Sequence, residues 1–228
     1  MISELFTAFF YSVLSISVLL CYRAGKILNL SLASLLTLGA YLSAFNALFS
    51  LFFGALTGYF LHLTTRNLSV ARSTVFSLGL AIAIEEVLRI SFRTQYLLIP
   101  VQKASIFSET LLEPHIYSGL ISIAFLIAFF SFLSTKRSAV LKVVEEDYEI
   151  SELYGVRTER VRAIVLTVTS SLICLLGSLQ HFGIVYPTIG WHFLIFAVIL
   201  ATIANLTPKP YLFCTFLALV IPWLTKLF

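Results

Sequence analysis

Apolar runs about twenty residues long recur along this chain, and twenty residues is what an α-helix needs to cross the hydrocarbon core of a bilayer. The first, LFTAFFYSVLSISVLLCY, fills residues 5–22, and others follow at roughly 27–46, 47–63, 74–92, 116–134, 163–185, 188–206 and 210–227. Soluble domains carry about 25% charged residues. Here only 11% of the 228 residues are charged, 59% are hydrophobic, and the mean hydropathy is +0.99. A transmembrane β-barrel would instead alternate in polarity over segments of ~10 residues, and that pattern is absent. The sequence therefore predicts an all-α integral membrane protein, a polytopic bundle of about 7–8 transmembrane helices. With no Pro/Gly/Ser-rich linker and no repeat, residues 1–228 read as one membrane domain.

Two runs raise a question of continuity. The stretch 27–63 is too long for one crossing, so it is two spans or a broken one. The segment 188–206 follows Pro187, which lacks an N–H and disfavours helix in the residue before it. That segment either spans or re-enters. The N-terminal run has no basic flank and no small-residue cleavage site, which reads as a retained span.

The formal charge of +4 is distributed unevenly. With the 135–162 loop on the cytoplasmic side, alternating spans put Arg23, Lys26, Arg66, Arg72, Lys136, Arg137, Lys142, Arg157, Arg160, Arg162 and Lys209 inside. Arg89, Arg93, Lys103 and Lys226 fall at the other face. This is the positive-inside asymmetry of membrane proteins, and it accounts for the basic charge without nucleic acid. The implied topology has both termini outside. The segment 93–115 becomes the sizeable external loop, read as a short surface helix or a folded lip. Cys21, Cys174 and Cys214 lie far apart in apolar runs and read as small packing residues. Trp191 and Trp223 read as interfacial anchors, and His181 and His192 as interfacial or packing residues.

The acidic stretch VVEEDYEISELYG, residues 143–155, interrupts the apolar pattern. Val140, Val143, Val144, Tyr148, Ile150, Leu153 and Tyr154 approximate one helical stripe, with Glu145, Glu146, Asp147, Glu149 and Glu152 between them. Gly155 stands where a helix commonly ends in a left-handed cap. The segment reads as one amphipathic helix of about three turns with a solvated acidic face. Carboxylates are repelled by anionic lipid, so the stripe packs on protein, either the chain's own membrane domain or the groove of a cytoplasmic partner. A metal or acid/base role for the carboxylates finds no nearby histidine to support it.

Further polar or small residues stand out within the spans. Glu85 and Glu86 lie in 74–92, where either reaches Arg89 along the helix; they line a pathway or form an ion pair near the interface. Asn29 lines a pathway at a helix interruption or caps a helix. Gly54 and Gly58 form a G-x-x-x-G that permits close helix packing. Pro187 and Gly190 mark a turn at the outer mouth.

In four places the chain resembles the permease subunits of branched-chain amino-acid ABC transporters. In AVLKVVEEDYEISELYGVRTERVRAIVLTVTSSLICLLGSL the matching positions are Asp147, Gly155, Ser170 or Ser171, Leu172 and Gly177. In YRAGKILNLSLASLLTLGAYLSA they are Tyr22, Arg23, Asn29, Gly39, Ala40 and Tyr41. SLGLAIAIEEVLR at 77–89 and VYPTIG at 185–190 complete the order. The chain departs from the family after Asn29, where Leu30–Ser34 replaces a His-Gly-acidic element, and at Ile199–Ile203, which replaces a glycine pair.

The resemblance implies a permease half in the plasma (inner) membrane of a prokaryotic cell. It would move branched-chain amino acids or a related small polar solute. Its partners would be a second permease subunit, two cytoplasmic ATPases and an external solute-binding protein. The loop of about 136–162 would carry the coupling helix, docking the ATPase through Val143, Val144, Tyr148, Leu153 and Tyr154, with Asp147 and Gly155 in its frame. Asn29, Gly39, Tyr41, Glu85, Glu86, Pro187 and Gly190 would lie along the pathway or its helix break, and Gly54, Gly58 and Gly177 would pack helices. No cofactor is implied, and the chain has no G-x-x-x-x-G-K-[ST] loop of its own. Rival readings are a membrane-embedded enzyme using Glu85/Glu86 or the 145–152 acids, and a membrane interaction protein that does not transport.

Overall fold

The computed structural model describes residues 2–43, 46–92, 96–98, 103–106, 109–136, 138–180 and 183–224. The chain is all-α apart from short strands at one end. In order the elements are α1 (Ile2–Arg23), α2 (Ser31–Leu42), α3 (Ala47–Thr65), α4 (Val70–Phe92), β1 (Leu97–Leu98), β2 (Lys103–Ile106), β3 (Glu109–Leu112), α5 (Glu113–Ser134), α6 (Ser138–Glu146), α7 (Tyr148–Leu153), α8 (Thr158–Gln180), β4 (Ile184–Val185), α9 (Ile189–Asn205) and α10 (Pro210–Leu224). Each expected apolar run corresponds to a helix, and the boundaries show where hydropathy misleads. Four helices are long and apolar enough to cross a membrane: 4–23, 47–65, 116–134 and 158–180. Helices 31–42, 189–205 and 210–220 are apolar but shorter.

The run 27–46 is the clearest departure. Only its second part is helical, twelve residues of α2 that rise about 18 Å, well short of a ~30 Å hydrocarbon core. The part before it is irregular. In the stretch between α4 and α5 the described residues form short strands: β2 and β3 make an antiparallel pair, and β1 pairs with β4 in the register Leu97↔Val185 and Leu98↔Ile184. That second pairing joins the chain after α4 to the chain after α8 at one end of the bundle. Arg93, Arg137, His181 and Lys226 lie outside the described residues.

α1 is the most buried of the four long apolar helices. Its Phe10, Val13, Leu14, Ile16 and Leu19 pass through the main core, which also takes in Leu32, Leu35 and Leu36 of α2, Leu166 and Ile173 of α8, and Ala197 and Ala201 of α9. Phe10 sits edge-on to Phe193, with ring centroids 5.6 Å apart, and Gly119 at the start of α5 leaves room for Phe6.

Small residues set the tightest crossings. A Cβ on Gly39 would lie 1.9 Å from the Cys174 carbonyl oxygen, and one on Gly177 would lie 2.1 Å from that of Leu36. α2 and α8 therefore meet backbone to backbone. α3 packs on α8 through Gly54 and Gly58, where added Cβ atoms would come within 2.7 Å of Ser170 O and 2.5 Å of Leu166 O. The hydroxyl of Ser171 donates to Leu51 O at 2.9 Å across this same interface. Cys21, Cys174 and Cys214 are free and buried.

Candidate functional site

The acidic segment is two helices, not one. α6 ends at Glu146, and Asp147 starts α7 by accepting the Ile150 N–H on Oδ1 at 3.1 Å. An Asp at this position satisfies one of the amides that a helix start leaves open. α7 ends on Gly155, whose φ is +77°. Its N–H donates to Glu152 O at 2.9 Å, and Val156 N–H reaches back to Ser151 O at 3.1 Å, the paired closure of a Schellman cap. Upstream, the Ser138 hydroxyl lies 2.8 Å from the carbonyl oxygens of both Leu133 and Thr135, folding α6 back from the end of α5.

The break splits the apolar stripe. Leu141 and Val144 on α6 are buried, Val144 completely, and Val143 is half-buried. On α7, Tyr148 is half-buried, whereas Ile150 is exposed and Leu153 and Tyr154 are 86% and 79% exposed. One end of the stripe thus anchors the segment and the other faces outward.

Glu145 does not belong to a solvated face. Its Oε2 accepts from Arg23 Nε at 3.2 Å, and its Oε1 accepts a short bond from the Tyr211 hydroxyl. Arg23 Nη1 also donates to Asn205 Oδ1 at 3.2 Å, and Lys26 Nζ lies 3.4 Å from the Glu145 carbonyl oxygen. The carboxylate thereby ties α6 to the end of α1 and the start of α10, and Arg23 extends the link to the end of α9. Burial pushes the Glu145 carboxyl above its usual range, against the opposing pull of Tyr211, Arg23 and Lys26. Burial, then the charge of Arg23, lowers the Lys26 ammonium.

α7 is held separately. The Tyr148 hydroxyl donates to Glu159 Oε1 at 3.0 Å, and Glu159 Oε2 lies 3.8 Å from His62 Nε2 on α3. Glu152 accepts from the Thr158 hydroxyl at 2.6 Å. Arg162 donates to the Thr65 and Arg66 carbonyls at 2.9 and 3.3 Å. The segment is therefore bonded at both ends to the bundle, with its outward apolar patch between.

Asn29 marks the interruption before α2. It is buried, and its Oδ1 accepts from both the N–H and the hydroxyl of Ser31, at 3.2 and 2.6 Å. Nδ2 has no partner. In the irregular backbone from 24 to 30, the N–H groups of Ala24, Gly25 and Ile27 reach back to α1 carbonyls, and α4 supplies further partners: Leu28 N–H donates to Thr74 Oγ1 at 3.3 Å, Leu30 N–H to Ser77 Oγ at 3.1 Å, and Ser77 Oγ returns to Leu28 O at 3.2 Å. Non-helical backbone away from water needs protein partners of this kind.

Glu85 and Glu86 have different partners. Glu86 pairs with Arg89 at 2.9 Å on the surface. Glu85 is buried and accepts a short bond from Trp191 Nε1 on α9, so Trp191 is a cross-helix donor. Beside them, Tyr41 is fully buried, its hydroxyl has no partner among the described residues, and its ring lies tilted against Phe92 with centroids 4.6 Å apart. Pro187 lies in a turn closed by Ile189 N–H to Tyr186 O at 3.1 Å. Gly190 is not part of that turn. Already helical, it packs on α2, where a Cβ would sit 1.9 Å from Ala33 O, and its N–H donates to Thr37 Oγ1 at 3.1 Å. His192 lies edge-on to Tyr186. Trp223 falls in α10, but its side chain is outside the described residues.

Sequence reasoning missed Thr74, Ser77 and Tyr211. The signal for the first two was hydroxyls spaced three apart near the start of an apolar helix. Among the described residues, no three His, Cys, Asp or Glu side chains are placed to hold a metal. Compared with known proteins, the chain matches no family model, no curated protein and no solved structure.

Proposed function

We propose that this chain is the membrane-spanning permease subunit of an ABC importer for branched-chain amino acids or a related small polar solute. The observation that carries the reading is α7. It is a short, capped helix between apolar helices, with Ile150, Leu153 and Tyr154 turned outward. In this reading those three residues dock on a cytoplasmic ATPase. Glu145 and Tyr148 are then the struts that pass its movement to α1, α10 and α3. A partner that binds two states of the membrane domain unequally shifts their populations.

The interrupted segment 24–30, with Asn29 inside it, supports a pathway there, since transporters commonly place sites at broken helices. The full complement would be eight crossing or half-crossing helices per subunit, a second permease, two ATPases and an external binding protein, in the plasma membrane of a prokaryotic cell. The chain would hydrolyse no nucleotide itself.

The test is reconstitution with the ATPase and permease subunits encoded beside this chain, followed by ATP-driven uptake of labelled leucine. Leu153→Glu/Tyr154→Glu should abolish ATPase co-purification and uptake while leaving thermal stability of the chain unchanged. Undiminished co-purification by this variant refutes the coupling role. Turnover of a substrate by the purified chain alone would favour an enzyme.

A further inference from the structure

A cavity of about 450 Å³ opens at the end of the bundle that carries Arg23. Arg23, Lys142 and Lys209 line it, together with Phe130, Leu133 and Leu212 from the facing ends of α5 and α10. Glu145 also reaches it, but that carboxylate is engaged by Arg23 and Tyr211. Glu146 stands exposed at the edge. Arg23 keeps a side-chain exposure of 23% there even while bonded to Glu145 and Asn205.

A second, strongly apolar groove of about 470 Å³ shares Pro208, Lys209 and Leu212 with the first and continues along Phe213 and Phe216. Lys209, Leu212, Phe213 and Phe216 follow i, i+3, i+4, i+7 spacing, so they form one strip along α10. That strip rises about 10 Å from its basic foot. Leu212 and Phe216 are more than half exposed.

We infer that the joined cavity and groove bind one anionic phospholipid, its phosphate-bearing headgroup among Arg23, Lys142 and Lys209 and an acyl chain along Leu212–Phe216. The charge fits: Arg23 and Glu145 pair with each other, which leaves Lys142 and Lys209 facing the single carboxylate of Glu146. The shape fits as well, because a polar chamber at the basic end leads directly into an apolar groove on a helix surface. Basic pockets between membrane helices at the cytoplasmic face recognise anionic headgroups by this chemistry. A soluble phosphate would use the chamber and leave the groove without a role. The inference does not depend on transport.

The experiment is native mass spectrometry of the purified full-length chain in mild detergent, titrated with dioleoyl-phosphatidylglycerol or dioleoyl-phosphatidylcholine. The wild type should retain one phosphatidylglycerol and discriminate against phosphatidylcholine. One lysine near an anionic lipid surface is worth about fivefold in binding. Lys142→Gln/Lys209→Gln should therefore weaken retention by ~30-fold; both side chains are exposed, so the fold is kept. Dihexanoyl-phosphatidylglycerol, with the same headgroup and shorter chains, should bind more weakly than the dioleoyl form. Equal retention of the two dioleoyl lipids overturns the site, as does an unaffected double variant. Equal binding of the short-chain lipid removes the groove from it. Displacement of the lipid by millimolar inorganic phosphate would make the chamber a soluble-anion site instead.

Discussion

Arg23→Met tests whether Glu145 is a structural strut. The Glu145 side chain is 5% exposed and that of Arg23 is 23%. Removing one partner of a buried ion pair costs about 3–5 kcal/mol, because the other charge is left uncompensated. Two features reduce that figure here. Tyr211 still donates to Glu145, and Arg23 is partly screened by water. The expected loss is then about 2–3 kcal/mol, the lower part of that range and below. A chain of this size loses ~2–4 °C of Tm per kcal/mol, so the shift should be roughly 5–10 °C.

The assay is thermal unfolding in detergent of wild type, Arg23→Met, Glu145→Gln and the double variant. The double variant should recover most of the loss, because an uncharged Gln tolerates burial beside Met. The pH profile gives a second readout. The Glu145 carboxyl is raised above its ordinary 4.5 in the folded protein. The folded state therefore holds this proton more tightly than the unfolded chain does. Stability from this group is complete below pH 4.5 and is lost as pH rises through the higher, folded value. Arg23 opposes the rise, so Arg23→Met should extend the sloping region to higher pH, and Glu145→Gln should remove it. Additive losses in the four-variant cycle, with unchanged pH profiles, would refute the pairing as a source of stability.

Three other perturbations follow from the packing. Gly39→Ala forces α2 away from α8, since its Cβ would meet the Cys174 carbonyl at 1.9 Å, and should cost about 1–3 kcal/mol by thermal unfolding. Trp191→Phe strips buried Glu85 of its indole donor and should cost about 1–3 kcal/mol, while Trp191→Phe/Glu85→Leu should restore part of it. Gly155→Ala meets no atom of the described residues within 4 Å but keeps φ at +77°, so it should lose about 1–2 kcal/mol through backbone conformation alone, read as earlier protease cleavage between α7 and α8.

The helical class was legible because every apolar run exceeds what a soluble helix exposes. The limits of α3 and α9 came within two residues, at Asn46, which caps α3 through Leu48 N–H at 3.0 Å, and just past Pro187. α2 was not legible in extent. Hydropathy registers the side chains of residues 27–30, and these are apolar or buried whether or not the backbone is helical. What ends the helix there is the hydroxyls of Thr74 and Ser77, which lie outside any local window. Glu145 was misplaced for the same reason: from its neighbours it is one acid in an acidic run, but Arg23 is 122 residues away and Tyr211 is 66. Gly155 was readable as a stop because its requirement is local. Asp147 was a readable start, overlooked because the stripe seemed to run through it.

The hydroxyl-held segment before α2 has a consequence for how the chain folds. The N–H groups of Leu28 and Leu30 find their acceptors 46 and 47 residues later, on α4. Until α4 is made, those amides have no partner on it, and a buried amide without one is costly. The segment before α2 therefore reaches its full set of backbone bonds only once α4 has packed on it, and replacing both Thr74 and Ser77 with Val should show itself first as a lower yield of folded protein.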